Sequence, residues 1–239
     1  MGSARLELAG AVFRVPGGCL TVGTRAVEGP GLLGVVGRTG SGKSNLLRCL
    51  AGLHPLAAGV FHARLAPDRR RLVLQRPEWQ LYGATVSDVV GAGGEEALRR
   101  LGVAHLERAR PYQLSTGERR RVMLAALLRA DAPLVLLDEP TAGVDAEGQA
   151  TAARVIAELA DTRLVVVATH DWPWLVSQVP RAWWMEDLEV AGDGPPAELA
   201  ARLTAGPELF DLVQELKRRR LPGESWWSAE RLAAEIVPR

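Results

Sequence analysis

The chain has 239 residues, 47% of them hydrophobic and 24% charged, with a formal net charge of +1. That length allows one sizeable core, or one domain with a subdomain. The near-neutral balance leaves no footprint for nucleic acid, and no apolar run approaches a bilayer span, so any membrane role has to come through a partner.

In chain order, Met1–Arg5 lacks an apolar stretch, which argues against a signal peptide. Residues 5–36 read as strand-rich, with breaks at Pro16-Gly17-Gly18 and Gly29-Pro30-Gly31. Leu32–Val36 is a short apolar run of the buried-strand kind. Gly37-Arg38-Thr39-Gly40-Ser41-Gly42-Lys43-Ser44 follows and fits the phosphate-binding pattern G-x-x-x-x-G-K-[ST] without a mismatch. Its glycines let successive backbone N–H groups turn inward. Those donors cradle phosphates, with the dipole of the next helix behind them. Lys43 supplies a point charge and Ser44 a hydroxyl for Mg²⁺; Asn45 opens the helix, which runs to Ala51. Cys19 and Cys49 show no metal-ligand spacing and read as reduced thiols.

Arg71–Leu74 is a short strand. Residues 85–131 turn helical, with apolar positions three and four apart. Within them, Ser115-Thr116-Gly117-Glu118 has the Ser-x-x-Glu form of a capping box, and a helix N-terminus is also an anion site. Leu134–Leu137 is a buried strand that ends on Asp138 and Glu139. Two carboxylates there lie where open parallel sheets place ligands. Asp138 can hold Mg²⁺, and Glu139 can orient the attacking water. Residues 148–160 form an Ala-rich helix, and Leu164–Val167 is another buried strand. Ala182–Met185 and Leu188–Val190 flank a turn and pair as a hairpin, and the tail from Pro207 is helical.

Leu114-Ser115-Thr116-Gly117-Glu118, about twenty residues before Leu136-Leu137-Asp138-Glu139-Pro140-Thr141, resembles the signature motif of ATP-binding cassette (ABC) ATPases. Thr116 stands where that family usually has Gly. Gln75 resembles the Q-loop glutamine, which contacts Mg²⁺ or the water. Ala142-Gly143-Val144-Asp145 resembles the D-loop, and His170 the switch histidine at the γ-phosphate. The resemblance implies an α/β fold: a P-loop NTPase core with a mostly parallel sheet, antiparallel N-terminal strands and an inserted helical subdomain. Residues 1–75 and 134–205 would form the core, 76–133 the subdomain, and 206–239 a C-terminal helical extension. Trp226 and Trp227 in that extension read first as packing the tail on the core, with a dimer contact or the membrane surface as alternatives. It implies ATP and Mg²⁺ as ligands. Ser115, Gly117 and Glu118 would meet the nucleotide of a second ATPase chain in a head-to-tail pair. The family also stacks adenine on an aromatic residue, and Val15 aligns with that position. Phe13 lies two residues earlier on the same strand face. Either Phe13 stacks instead or adenine rests on Val15 alone.

Gln75-Arg76-Pro77-Glu78-Trp79-Gln80-Leu81-Tyr82-Gly83-Ala84-Thr85-Val86 resembles the corresponding stretch of energy-coupling factor importers for cobalt, nickel and vitamins. The implied role is the ATPase subunit of such an importer, at the cytoplasmic face of the membrane. It would dock a transmembrane coupling protein through this segment and bind no nucleic acid. The alternatives are the ATPase of another ABC transporter class and a non-transport ABC ATPase of DNA repair or translation.

Overall fold

The computed structural model describes residues 4–75, 80–143, 145–196 and 199. The expected C-terminal extension with Trp226 and Trp227, the stretch Arg76–Trp79 and Val144 lie outside the described residues.

Among the described residues, nine strands form one sheet. They are β1 (Arg5–Val15), β2 (Gly18–Glu28), β3 (Gly31–Val36), β4 (Leu56–Ala63), β5 (Arg70–Val73), β6 (Leu134–Asp138), β7 (Leu164–Ala168), β8 (Arg181–Glu186) and β9 (Glu189–Gly194). Their spatial order is β4-β1-β2-β9-β8-β3-β7-β6-β5. The pairs β3–β7, β3–β8, β6–β7, β5–β6 and β2–β9 are parallel, and β1–β2, β1–β4 and β8–β9 are antiparallel. The mixed sheet therefore has the antiparallel N-terminal strands that the sequence implies.

Every residue of β6 and β7 is buried, which is why both read as unbroken apolar runs. Alternate side chains enter different cores. Leu134 and Leu136 of β6 join Leu46, Leu47 and Leu50 of helix α1 (Lys43–Ala51) on one face. Val135 and Leu137 join the other face, with helices α4 (Thr116–Arg129) and α5 (Ala146–Ala160). In β7, Leu164 and Val166 split from Val165 and Val167 in the same way.

Between β5 and β6 lie α2 (Val86–Val90), α3 (Glu95–Arg100) and α4. Side chains set the starts of α2 and α4. Thr85 and Asp88 form a capping box on α2, and Ser115 and Glu118 one on α4. The Asp145 side chain accepts from Gly148 N at 2.8 Å to start α5.

Three elements depart from the sequence expectation. β4 has no counterpart in it. This strand lies at the sheet edge with most of its residues exposed, so no apolar alternation marks it. Helix α6 (Trp172–Gln178) is also unforeseen, although Asp171 caps it through Trp174 N. Leu188 belongs to the β8–β9 turn, so β9 begins one residue later than expected. Of the two cysteines, Cys49 is buried on α1, where burial pushes its thiol up to about 12, and Cys19 is exposed.

Candidate functional site

The phosphate loop joins the end of β3 to α1. Gly42 is the N-cap of α1 with a left-handed backbone (φ 104°), and no side chain caps this helix. Helices α2, α4, α5 and α6 all have a side-chain cap. The first-turn N–H donors of α1 thus face the loop without a side-chain acceptor, which suits an anion. Two of the glycines are sterically required. A Cβ on Gly37 would lie 2.3 Å from Met185 O and 2.6 Å from Ser41 Oγ. One on Gly42 would lie 2.8 Å from Leu188 Cδ2. Ser41 Oγ is itself buried and lacks a hydrogen-bond partner among the described residues. Lys43 is buried, and its Nζ donates to Gly37 O at 2.7 Å and to Arg38 O at 3.1 Å.

Strand alternation places the first carboxylate. Asp138 shares the β6 face of Leu134 and Leu136, which is the α1 face. There the Ser44 hydroxyl donates to its carboxylate. Burial pushes the Asp138 carboxyl above its ordinary range, and the Ser44 hydrogen bond opposes that. The Glu139 charge adds to the rise, while Arg48 and Lys43 counter it.

Glu139 takes the next position with a left-handed backbone (φ 50°), uncommon for a residue with a side chain. Its N–H donates to Ala168 O at 2.8 Å, tying it to the end of β7. Its carboxylate is buried and meets His170, with Nδ1 of the ring 2.8 Å from Oε1. The ring itself is largely exposed.

Thr39, Gly40, Gly42, Lys43, Ser44 and Asn45 line one open cleft of about 380 Å³, together with Gln75, Asp138, Glu139 and His170. The geometry gathers residues from four separate stretches of sequence around this space. It adds Arg48, which the sequence reading missed. Arg48 lies four residues after Ser44, so the two share a helix face; that spacing was the available signal. The donor set of Ser44, Asp138 and Gln75 is all oxygen, which suits Mg²⁺.

Ser115, Gly117 and Glu118 do not line the cleft. Glu118 Oε2 accepts from Ser115 N at 2.8 Å and from Ser115 Oγ at 2.7 Å. A Cβ on Gly117 would meet nothing within 4 Å, so the start of α4 is open above it.

Of the two residues considered for the adenine, Phe13 lies in the core. Its side chain is 1% exposed and its ring packs edge-on against Phe61, with centroids 5.5 Å apart. That ring fills the core under the N-terminal strands, so it has no face to offer a base. Val15 is also buried, at 6% exposure.

The family described as "ABC transporter" matches residues 26–142. The hemin import ATP-binding protein HmuV of Streptomyces coelicolor is 36% identical over 198 residues, spanning 72% of this chain and 70% of that protein. YkoD of Bacillus subtilis, provisionally named an HMP/thiamine import ATP-binding protein, is 32% identical over 207 residues. That match spans 78% of this chain but 37% of YkoD. Among solved structures, cbiO1 of Clostridium perfringens, part of the ABC transporter complex cbiONQ, superposes with a TM-score of 0.71. It covers 90% of this chain and 94% of cbiO1 at 22% identity, a likeness of fold. The family match contains both the phosphate loop and the end of β6 at Asp138 and Glu139, and the chain belongs to the ATP-binding proteins of ABC transporters, which hydrolyse ATP to drive transport.

Proposed function

We propose that the chain is the ATP-hydrolysing subunit of an energy-coupling factor importer for a metal ion or a vitamin. The observation that carries the ATPase part is the convergence of Lys43, Ser44, Asp138, Glu139, His170 and Gln75 on one cleft. The triphosphate enters at the N-terminus of α1, where the loop N–H groups and Lys43 hold it. Glu139 accepts a hydrogen bond from the attacking water and polarises it, while His170 fixes the carboxylate and reaches the terminal phosphate. Mg²⁺, held by Ser44 and Asp138 with Gln75 beside them, would neutralise charge on the phosphates. Catalysis here is positioning and electrostatics.

The open start of α4 at Gly117 supports a head-to-tail pair, in which Ser115, Gly117 and Glu118 of one chain close on the nucleotide of another. We take residues 76–133 as the subdomain that moves with that closure. The importer subtype is supported by the segment after Gln75. Leu81 is buried as an anchor, and Tyr82 stands 83% exposed for a partner. The fold likeness to cbiO1 and the similarity to YkoD point the same way. No described helix is long and apolar enough to cross a membrane, so a permease would have to supply the spans and hold this chain at the cytoplasmic face. The resemblance to HmuV favours a second reading, the ATPase of another importer class. Purification of the chain from native membranes, with identification of the proteins that accompany it, tests the choice. An energy-coupling factor transmembrane protein is expected, and its assembly with the ATPase should weaken when Trp79 and Tyr82 are both changed to Ala. Recovery of a hemin-type permease instead would overturn the subtype.

A further inference from the structure

The tip of the β8–β9 hairpin holds two adjacent residues in left-handed backbone, Asp187 (φ 43°) and Leu188 (φ 63°). Two-residue turns of this hand favour Asn and Gly, and a leucine there carries a steric penalty. The surroundings hold it in place. Leu188 N donates to Ser41 O at 3.1 Å, and Thr21 N donates to Leu188 O at 2.8 Å. The half-buried side chain lies over the phosphate loop, with Cδ2 only 2.8 Å from where a Cβ on Gly42 would stand. Its Cδ1 is 3.7 Å from the corresponding point on Gly18, the first residue of β2. Met185, three residues earlier, closes on the same two loop glycines, with its O 2.3 Å from a Cβ on Gly37 and its Cε 3.2 Å from one on Gly42.

A strained residue persists where its neighbours over-determine it, and such strain collects at functional sites. Here the leucine is held by one backbone bond to the phosphate loop and one to β2. We propose that Leu188 is a positioning residue for the phosphate loop. The hairpin tip is a strut that fixes Ser41 and Gly42, and with them the N–H donors at the start of α1, in the shape that accepts phosphate. This rests on the nucleotide-binding reading of that loop.

The test separates strain from support. Leu188→Gly and Leu188→Asn suit the turn better than leucine and remove the methyl groups over Gly42. Leu188→Met keeps the apolar reach without easing the backbone. Thermal unfolding of Leu188→Gly should match the wild type or rise. Calorimetric titration with ATP, and separately with inorganic tripolyphosphate, should show both affinities lowered about five- to tenfold in Leu188→Gly and Leu188→Asn. Leu188→Met should restore most of both. Wild-type affinity in Leu188→Gly overturns the proposal. So does a loss for ATP with tripolyphosphate binding intact, because the effect would then lie at the nucleoside. An affinity loss that merely follows a fall in Tm overturns it too. Lys43→Ala serves as the control. If it abolishes binding while Leu188→Gly keeps wild-type affinity for both probes, the strut alone fails; if the wild type binds neither probe, the nucleotide reading fails with it.

Discussion

Glu139 is constrained twice, by a left-handed backbone tied to the end of β7 and by the His170 ring against its carboxylate. Both constraints fix direction rather than affinity. Glu139→Gln should therefore keep ATP affinity and slow turnover about 10²–10⁴-fold, checked by nucleotide titration beside a phosphate-release assay. Lys43→Ala should instead weaken nucleotide binding itself, because it removes the charge that meets the phosphates. The residues behind these predictions were legible because each motif is contiguous: a loop of glycines, or two carboxylates at a strand end. The burial of Phe13 was not legible because it is decided by Phe61, some fifty residues away, against which the ring packs in the core. Leu188 was unreadable for a related reason. Nothing local to Asp187-Leu188 announces that a turn needing positive φ will press on Gly42.

At the scale of elements, α4 shows how a cap and a signature sequence occupy the same residues. The Ser115–Glu118 box satisfies the helix start within the chain. The Ser115 side chain, with its N–H, holds the Glu118 carboxyl below the ordinary glutamate range. A carboxyl depressed in the folded state stabilises fully above its unfolded value, and that contribution is lost as pH falls through the folded value. Glu118→Gln should flatten the loss of stability between roughly pH 5 and pH 3, measured as Tm against pH. The change should be about a few tenths of a kcal/mol, because the group is partly solvated. The helix starts could be read from sequence wherever Ser, Thr or Asp preceded the apolar period. Helix α6 had the same signal in Asp171 followed by Pro173, and its short length hid it. β4 had none, since an edge strand exposed along most of its length needs no alternation.

At the scale of the whole molecule, the sheet is a partition. One face carries α1 and the phosphate loop, and the other carries α4 and α5. Arg120 on α4 donates to Ala142 O, just beyond the end of β6, and so links the helical layer to the turn after Glu139. Gly117, at the start of the same helix, has open space over it. Gly117→Arg should therefore leave folding and ATP binding by the single chain near wild type. It should block the ATP-dependent dimer that slowed turnover in Glu139→Gln is expected to accumulate, and lower turnover at least about tenfold. Size-exclusion chromatography of the Glu139→Gln chain, with and without the second change, reads this directly. A dimer that still forms would place the pairing surface elsewhere.

The partition also governs what changes of length this gene can tolerate. In β6 the parity of a residue decides its side of the sheet, and Asp138 has the parity of Leu134 and Leu136. One inserted codon between Leu134 and Asp138 would exchange the two sets of side chains and carry the carboxylate away from Ser44. Two inserted codons would restore the parity and displace the carboxylate along the strand instead. The reading frame of packing and the reading frame of chemistry are thus the same, so single-residue insertions should be absent from this strand while surface connections vary freely in length.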